Sequence, residues 1–431
     1  MAVPYKIKIQ FDSGKEYFLK PCGQSDKTQW DAYQGQLRAA RNSKAIVTCA
    51  CAGIGPRRLT IRLRGENHYL AKFALSGPEH HPLCRYYTSP PENSGLQAYE
   101  RCAVEDIGDG CIQVRLRFGL TENEPTRHTG ADYDPTINRQ GTTRQKSMTL
   151  LGLLHLLWTE AQFNLWHPNM DGKRWPTTIH KYLREAAASQ RIGGHRLSQH
   201  LLLPANKTGK VDYAAKNKKL VKDAITNRRR LIVISELRPF GRNVDLVGGR
   251  AVPMNYFNGF PFLNIGDEIV ANVLRRFERE VNAWRNGSRV IAIVFTNKPQ
   301  KAMSGAIAAE VCEMALMRIS DTWIPLDSEL EAEVELKLRK EQRFFEKPLR
   351  FDASKDDVFP DFILFDVPGT ARYPMEVFGM ATPEYLARKA VKLSYFKTNF
   401  GDSWWEWDKT VHAKLSEADS FPAKDDAKQN A

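Results

Sequence analysis

Two clusters near the start of the chain contain residue types that bind zinc. The first is Cys49-x-Cys51, and the second is His80-His81-x-x-Cys84. Thiolate and imidazole are the ligands that Zn²⁺ prefers, usually four at a time in a tetrahedral structural site. We therefore expect a structural zinc site formed by Cys49, Cys51, His81 and Cys84, with His80 as a rival for His81.

The remaining cysteines and the apolar runs bear on where the protein works. Seven cysteines in 431 residues, an odd number in a long chain, do not indicate a disulfide scaffold. Residues 1–18 lack the apolar core of a signal peptide. The richest apolar run, residues 148–158, is shorter than the roughly 20 residues that span a membrane. These features predict a cytoplasmic protein with reduced thiols and no membrane partner.

A second set of chemically capable residues lies in the C-terminal part of the chain. The pattern there predicts helix, strand, strand, strand, helix, strand, with Asp361 (after Pro360) and Glu376 on adjacent strands. This order resembles the restriction-endonuclease-like fold, whose nuclease motif is Pro-Asp followed further on by Asp/Glu-x-Lys. The resemblance implies that Asp361 and Glu376 bind Mg²⁺. Such an ion activates water and stabilises developing charge in phosphodiester hydrolysis.

The chain departs from that motif at one position. Phe378 stands where the motif has lysine. Some members of the fold carry the lysine on the following helix, where this chain has Lys389 and Lys392 on one side. Either lysine could complete the site, and the alternative is that both belong to a solvated helix face.

Three further acids have competing interpretations. Ser328-x-x-Glu331 has the form of a capping box, which we favour over a metal-binding role for Glu331. Glu335, one turn later, is the alternative acidic contributor to the site. Asp366 is interpreted as a surface carboxylate at a turn.

Nearly all of the net charge of +13 is concentrated in residues 173–230. This segment has 15 Lys or Arg and three acids, a net charge of +12, whereas residues 327–376 carry a net charge of −5. Such a basic segment attracts phosphate backbones, so we expect a nucleic-acid partner, and specifically DNA. The alternative is a solvated helix face. The residues that we expect to contact the nucleic acid are Lys216, Lys218, Lys219, Arg228, Arg229 and Arg230.

Motifs at both ends of the chain form a recognisable set. They are Cys49-x-Cys51, His80-His81-Pro82-x-Cys84, Trp323-Ile324-Pro325-x-x-Ser328, Glu346-Lys347-Pro348-Leu349-Arg350, Pro360-Asp361, and Pro374-Met375-Glu376-Val377-Phe378-Gly379-Met380 followed by Tyr385, Arg388, Lys389 and Lys392. With these motifs the chain resembles a bacterial family of unknown function found on conjugative plasmids and integrative elements. The resemblance implies a mobile-element context, with conjugation-machinery proteins as further partners.

Composition and pattern together predict an α/β protein, mixed α+β and multidomain. Apolar residues make up 42% of the chain, enough to fill several cores. The predicted parts are a β-rich module with the zinc site (1–120), a linker (121–147), a basic helical region (148–230), an α/β layer (231–325), a restriction-endonuclease-like α/β domain (326–414) and a disordered tail (415–431).

Two functional hypotheses follow. The first is a nucleic-acid-binding protein of mobile genetic elements whose C-terminal domain is a Mg²⁺-dependent phosphodiesterase of the endonuclease type. The second is a non-catalytic DNA-binding or protein-binding accessory factor of conjugation or plasmid maintenance, with a degenerate nuclease fold. Phe378 favours the second hypothesis.

Overall fold

The computed structural model describes residues 5–20, 27–64, 66–73, 75–100, 103–108, 111–122, 146–205, 212–255, 258–353 and 357–426. The fold is mixed α+β, which confirms the predicted class. Most of the predicted linker, residues 123–145, lies outside the described residues, as do Lys207 and Lys210 of the basic segment.

The N-terminal module is a five-stranded antiparallel sheet covered by one helix. Its elements are β1 (Ile7–Gln10), β2 (Glu16–Leu19), α1 (Lys27–Asn42), β3 (Ile46–Cys49), β4 (Arg58–Arg64) and β5 (Asn67–Lys72). The strand order is β2-β1-β3-β4-β5. Ile7, Ile9 and Val47 bury their side chains on the same face, against Leu37 of α1. The period-two alternation of this segment therefore produces the expected half-buried sheet.

The next part of the chain contains a small sheet and two long helices. Its elements are β6 (Val104–Asp106), β7 (Ile112–Val114), α2 (Leu150–Glu160), β8 (Leu165–Trp166), α3 (Pro176–Ala188), β9 (Gln190–Ile192), β10 (His195–Arg196) and β11 (Leu201–Leu202). Short 3-10 turns lie at Gly77–Glu79, Pro91–Asn93, Gly95–Ala98, Pro168–Met170 and Leu197–Gln199. The small sheet has the order β10-β9-β7-β6. Thr149 caps the N-terminus of α2, because its Oγ1 accepts a hydrogen bond from Gly152 N at 3.1 Å.

A six-stranded sheet is the largest in the described part of the chain. Its part of the chain contains α4 (Tyr213–Thr226), β12 (Ile232–Glu236), β13 (Phe262–Asn264), α5 (Asp267–Arg276), α6 (Glu278–Arg285), β14 (Arg289–Thr296), β15 (Gln300–Lys301) and β16 (Ile307–Ile319). The sheet order is β11-β12-β14-β16-β13, and β15 pairs with β16. All of β14 after Arg289 is buried, because α2, α5 and α6 pack on the sheet. One hydrophobic core extends across the predicted boundary at residue 230, so the two regions predicted on either side of it share a single core.

The C-terminal elements follow the predicted order. They are α7 (Glu329–Lys340), β17 (Phe345–Glu346), β18 (Phe362–Leu364), β19 (Tyr373–Phe378), α8 (Pro383–Phe400) and β20 (Trp405–Asp408). The sheet order is β20-β19-β18-β17-β8. Strands β17, β18 and β19 are antiparallel, and β20 is parallel to β19 after the crossover through α8. Strand β8, from the middle of the chain, adds an edge to this sheet.

The segment after β20 packs against the C-terminal sheet. Phe421 meets Trp405 edge-on, with ring centroids 5.0 Å apart, and Trp405 Nε1 donates to Asp419 O at 2.9 Å. Arg343 Nη1 donates to Pro422 O at 2.8 Å. The predicted disorder from residue 415 is therefore wrong for residues 415–426, because a few apolar side chains anchor an otherwise polar segment.

Helices of the described residues lack the combination of length and apolarity that a membrane crossing needs.

Buried neutral histidines make the stability of this fold sensitive to acid. His180 of α3 is buried edge-on against Trp323, and burial, followed by the charge of Arg184, lowers its pKa to about 3. The unfolded chain has an ordinary histidine pKa near 6.5, so it binds more protons below that pH. The contribution of His180 to stability is therefore fully present above pH 6.5 and is lost as the pH falls toward 3.

We predict that His180→Phe reduces the loss of unfolding free energy between pH 7 and pH 4.5 by about 2 kcal/mol. Urea unfolding at the two pH values measures the difference. The exposed His412→Phe is the matched control and should leave the acid sensitivity unchanged. Equal acid sensitivity in the His180→Phe variant and the wild type would contradict a lowered pKa of His180 in the folded protein.

Candidate functional site: a Cys/His cluster and a buried carboxylate pair

Four side chains beside the N-terminal sheet converge on one buried point. Cys49 Sγ lies 3.6 Å from Cys84 Sγ. His80 Nδ1 lies 3.5 Å from Cys51 Sγ and 3.6 Å from Cys84 Sγ. All four ligand atoms lie within 4.8 Å of one another. A tetrahedral zinc site, with bonds of about 2.3 Å, holds its sulfurs about 3.8 Å apart, whereas disulfide sulfurs are about 2 Å apart. The cluster therefore has the donor set and the spacing to hold a metal ion.

The local backbone brings these two parts of the chain together. Cys49 ends β3, and Cys51 lies in the turn that follows. A Cβ on Gly53 would overlap the backbone of Glu79 and His80, so this close approach requires glycine. Arg57 fastens the turn, because its guanidinium donates to Cys49 O at 3.2 Å and to Gly53 O at 2.5 Å.

The fourth side chain of the cluster is His80, so the sequence prediction of His81 at this position is wrong. His80 is buried in the cluster, whereas His81 Nδ1 accepts a hydrogen bond from Leu83 N at 3.3 Å. His81 contributes its backbone N–H, which donates to Cys51 Sγ at 3.5 Å. The turn at Gly77–Glu79 ends at His80 and directs that side chain inward.

The thiols of the cluster depend on one another electrostatically. Hydrogen bonds, first from Cys49 and then from Cys84, lower the pKa of Cys51. The same contact with Cys51 raises the pKa of Cys49 to about 11. Three thiols this close cannot all ionise without a cation, since like charges repel. A metal ion would remove that restriction, because it binds thiolates.

The antiparallel pairing of β18 and β19 places the two predicted carboxylates side by side. Phe362 pairs with Met375, so Asp361 comes opposite Glu376. Asp361 Oδ2 accepts a hydrogen bond from Val377 N at 2.9 Å. Glu376 is 1% exposed, and its Oε2 has no hydrogen-bond partner in the part of the chain that the structure describes. Burial, followed by the charge of Asp361, raises the pKa of Glu376 to about 8.

The two candidate lysines of α8 have different partners. Lys392 Nζ forms an ion pair with Glu376 Oε1. Lys389 Nζ forms an ion pair with Asp408 Oδ2 at the end of β20, and it also lies 4.9 Å from the centre of the Phe378 ring. The crossover helix thus brings one lysine, Lys392, to the carboxylate pair.

Lys347 belongs to this charge cluster, and sequence reasoning assigned it no role. Lys347 follows β17, is 1% exposed, and lies 3.1 Å from Asp327 Oδ2 and 3.2 Å from Glu331 Oε2. Although burial lowers the pKa of Lys347, the charges of Asp327, Glu331 and Asp361 raise it overall. The motif Glu346-Lys347-Pro348 could have drawn attention to Lys347, but a sequence motif does not show whether a side chain is buried.

Glu331 caps the start of α7 and also belongs to the charge cluster around Lys347. Glu331 N donates to Ser328 Oγ at 3.1 Å, and Glu331 Oε2 accepts from Asp327 N at 2.9 Å. The carboxylate thus bonds back to the helix start, as in the predicted capping box. Burial, followed by the charges of its neighbours Asp327 and Asp361, raises the pKa of Glu331 to about 8 despite Lys347.

Glu335 and Asp366 form structural contacts with other parts of the domain. Glu335 Oε1 accepts hydrogen bonds from Ser320 Oγ at 3.0 Å and from Arg339 Nε at 2.8 Å. Asp366 is fully buried and pairs with Arg343 at 2.9 Å, so the prediction of a surface carboxylate is wrong. The reason is that Asp366 also accepts the backbone N–H of Phe344 at 2.8 Å, which holds it inside the domain.

The six residues predicted to contact nucleic acid differ in how far they are exposed. Lys216, Lys218 and Lys219 of α4 are exposed, as is Arg228, and Arg229 is half-buried. Arg230 is 8% exposed, lies 5.8 Å from the Phe295 ring centre and donates to Gly119 O at 3.3 Å. Arg230 is therefore a packing residue, which corrects its assignment to the contact surface.

A buried network joins the segment after Cys84 to the C-terminal sheet. Tyr87 Oη donates to Glu346 Oε2 at 3.2 Å, and Ser89 Oγ donates to Glu346 Oε1. Asn164 Nδ2 donates to the same oxygen at 3.1 Å. Glu346 directly precedes Lys347, so the Cys/His cluster and the carboxylate cluster are connected through a short stretch of fixed chain.

One family model matches this chain. Its description is "Protein of unknown function (DUF1173)", and the match covers residues 21–410. No curated protein and no solved structure matches the chain.

We predict that the purified protein carries about one metal ion per chain in the Cys/His cluster. Cys84→Ser and His80→Ala should each lower the metal content at least about tenfold, because each removes a ligand. His81→Ala is the matched control and should retain the metal. Elemental analysis of the purified variants measures the result. Loss of metal in His81→Ala with retention in His80→Ala would contradict the ligand set.

Proposed function

Because the chain belongs to the DUF1173 family, for which no function is given, we propose its function from its own geometry. The proposal is a nucleic-acid-binding protein whose C-terminal domain hydrolyses phosphodiester bonds with the help of Mg²⁺. The observation that carries it is the convergence of Asp361, Glu376 and Lys392. The mobile-element setting and the conjugation partners suggested by the sequence motifs are part of the same proposal.

The carboxylate pair fits a hard divalent cation. Mg²⁺ commonly binds through one or two carboxylates and keeps several water ligands. The buried Oε2 of Glu376 offers a free acceptor next to Asp361. The raised pKa of Glu376 reflects uncompensated negative charge in a buried place, which a cation relieves. When bound there, Mg²⁺ would activate water and stabilise the charge that develops on the phosphoryl oxygens.

The remaining residues have positioning and electrostatic roles. Lys392, held by Glu376 Oε1, lies where an ammonium group can orient the attacking water or stabilise the transition state. Asp361 is oriented by the backbone N–H of Val377. The structural order α7-β17-β18-β19-α8-β20, with β20 parallel to β19, supports the likeness to the restriction-endonuclease-like fold.

The Cys/His cluster has a separate, structural role in this proposal. Zinc is the metal that best suits three thiolates and one imidazole, and four protein ligands leave no open position for substrate. The ion would hold β3 and residues 80–84 together, and so fix the segment that contacts Glu346.

One specific observation favours a second candidate function. Lys392 occupies one oxygen of Glu376, and Phe378 stands in the usual lysine position. A degenerate site with an internal lysine in place of a cation would leave a non-catalytic nucleic-acid-binding accessory factor. The cleavage experiment below separates the two candidates.

We predict Mg²⁺-dependent cleavage of plasmid DNA by the wild-type protein. Glu376→Gln and Asp361→Asn should each reduce the rate at least about 100-fold, which corresponds to roughly 3 kcal/mol of lost transition-state stabilisation. Lys392→Met should cause a similar loss. Lys389→Met is the matched control from the same helix and should retain most of the activity.

Gel analysis of supercoiled, nicked and linear plasmid follows the reaction. Equal cleavage by the wild type and a protein carrying both Asp361→Asn and Glu376→Gln would refute the assignment. No cleavage by any form, together with DNA binding, would favour the accessory factor.

We also predict that α4 contributes to duplex DNA binding. Replacing Lys216, Lys218 and Lys219 with alanine should make the slope of log Kobs against log salt less steep by about 2.7, since each phosphate contact contributes about 0.9. Fluorescence anisotropy with a labelled duplex measures this slope. The exposed lysines Lys15, Lys301 and Lys340 provide a control triple variant, and an equal effect there would contradict a local contact surface.

A further inference from the structure

A cleft of about 1050 Å³ lies between the N-terminal module and helices α2 and α3. Helix α1 and strand β5 contribute to one wall, and residues 169–189 contribute to the other. Asp361, Glu376 and Lys392 are not among the described residues that line it. The cleft is therefore a feature distinct from the carboxylate pair.

Aromatic side chains provide flat surfaces in this cleft. Trp30 and Tyr33 of α1 are half-buried and stack on each other, with ring centroids 5.8 Å apart and planes at 25°. Tyr182 of α3 lines the opposite wall and is half-buried as well. Aromatic side chains in the wall of a cleft can stack on nucleobases, and such stacking is independent of base identity.

Basic side chains surround the aromatic ones. Of the described residues, six Lys or Arg and two Glu line the cleft, and one of the acids, Glu160, forms an ion pair with Lys72 at 3.1 Å. Arg85, Lys173 and Lys181 are exposed at the cleft, so their charges can meet an anion there. Lys181 Nζ lies 5.6 Å from the centre of the Tyr182 ring, which places a cation beside a stacking surface.

From this combination we infer that the cleft binds single-stranded nucleic acid. Bases stack on Trp30 and Tyr33, and phosphates contact Arg85, Lys173 and Lys181. An unpaired strand fits because base faces are available for stacking only when they are not enclosed in a duplex. This inference rests on the proposed function and deepens it, since it names the form of nucleic acid and a second contact surface.

The test measures binding of the full chain to a fluorescein-labelled 15-nucleotide oligo(dT) by anisotropy in EDTA. The double variant K173A/K181A should weaken binding at least about tenfold and make the salt slope less steep by about 1.4, since each phosphate contact to a single strand contributes about 0.7. Trp30→Ala should weaken binding about tenfold with little change in the salt slope. Trp30→Phe, which keeps a ring, should recover most of that loss.

The matched control is the double variant K301A/K340A, which removes two exposed lysines outside the cleft and should bind within about twofold of wild type. Wild-type affinity in both K173A/K181A and Trp30→Ala would overturn the inference. Displacement of oligo(dT) by dTMP at equal nucleotide concentration would also overturn it, in favour of a mononucleotide site. Circular dichroism melting of each variant confirms that the fold is intact.

This measurement is independent of cleavage. It is made in EDTA, without the divalent cation that the proposed cleavage requires. A failure of the cleft variants to change binding counts against the cleft alone. A failure of plasmid cleavage counts against the carboxylate site alone.

Discussion

The C-terminal part of this protein depends on ion pairs that neutralise buried carboxylates. Removing an ionised group from water costs several kcal/mol, so a buried carboxylate needs a cation or a proton. Lys347 supplies that charge to the buried Glu331 and also pairs with the partly exposed Asp327, and Lys392 supplies it to Glu376. The Lys347 pairs join the end of β17 to the start of α7, and the Lys392 pair joins α8 to β19. The pKa of Glu376 is nevertheless raised by burial and by the charge of Asp361, so the Lys392 pair offsets only part of the cost of ionising this carboxylate.

The Cys/His cluster and the carboxylate cluster are distant in sequence but joined in the structure. Cys84 belongs to the N-terminal core, whereas Leu83 and Tyr87 belong to the C-terminal core. The hydrogen bonds from Tyr87 and Ser89 to Glu346 extend this connection to the residue beside Lys347. A metal ion in the first cluster would therefore stabilise the second through a few residues of chain, because the intervening segment is held at both ends.

The carboxylate pair and the exposed basic residues lie in different parts of the molecule. A carboxylate pair repels phosphate, so a protein that acts on nucleic acid needs positive charge elsewhere to hold it. In the proposed function, the exposed lysines of α4 and the aromatic, basic cleft beside α1 would provide two such surfaces with different preferences. Lysine side chains attract the phosphates of any nucleic acid, whereas aromatic rings stack on bases that are unpaired.

Local sequence patterns determined much of the fold and part of each site. The alternation of Ile7 and Ile9, the Ser328 cap of α7 and the order of elements in residues 326–414 depend on neighbours a few residues apart. Tertiary structure alone decided between His80 and His81, because only the folded chain shows which ring meets Cys51 and Cys84. It also brought Lys392 to Glu376 and placed Arg230 and Asp366 in the interior. Composition shows how many charges a segment has, but whether each charge faces water depends on contacts with distant parts of the chain.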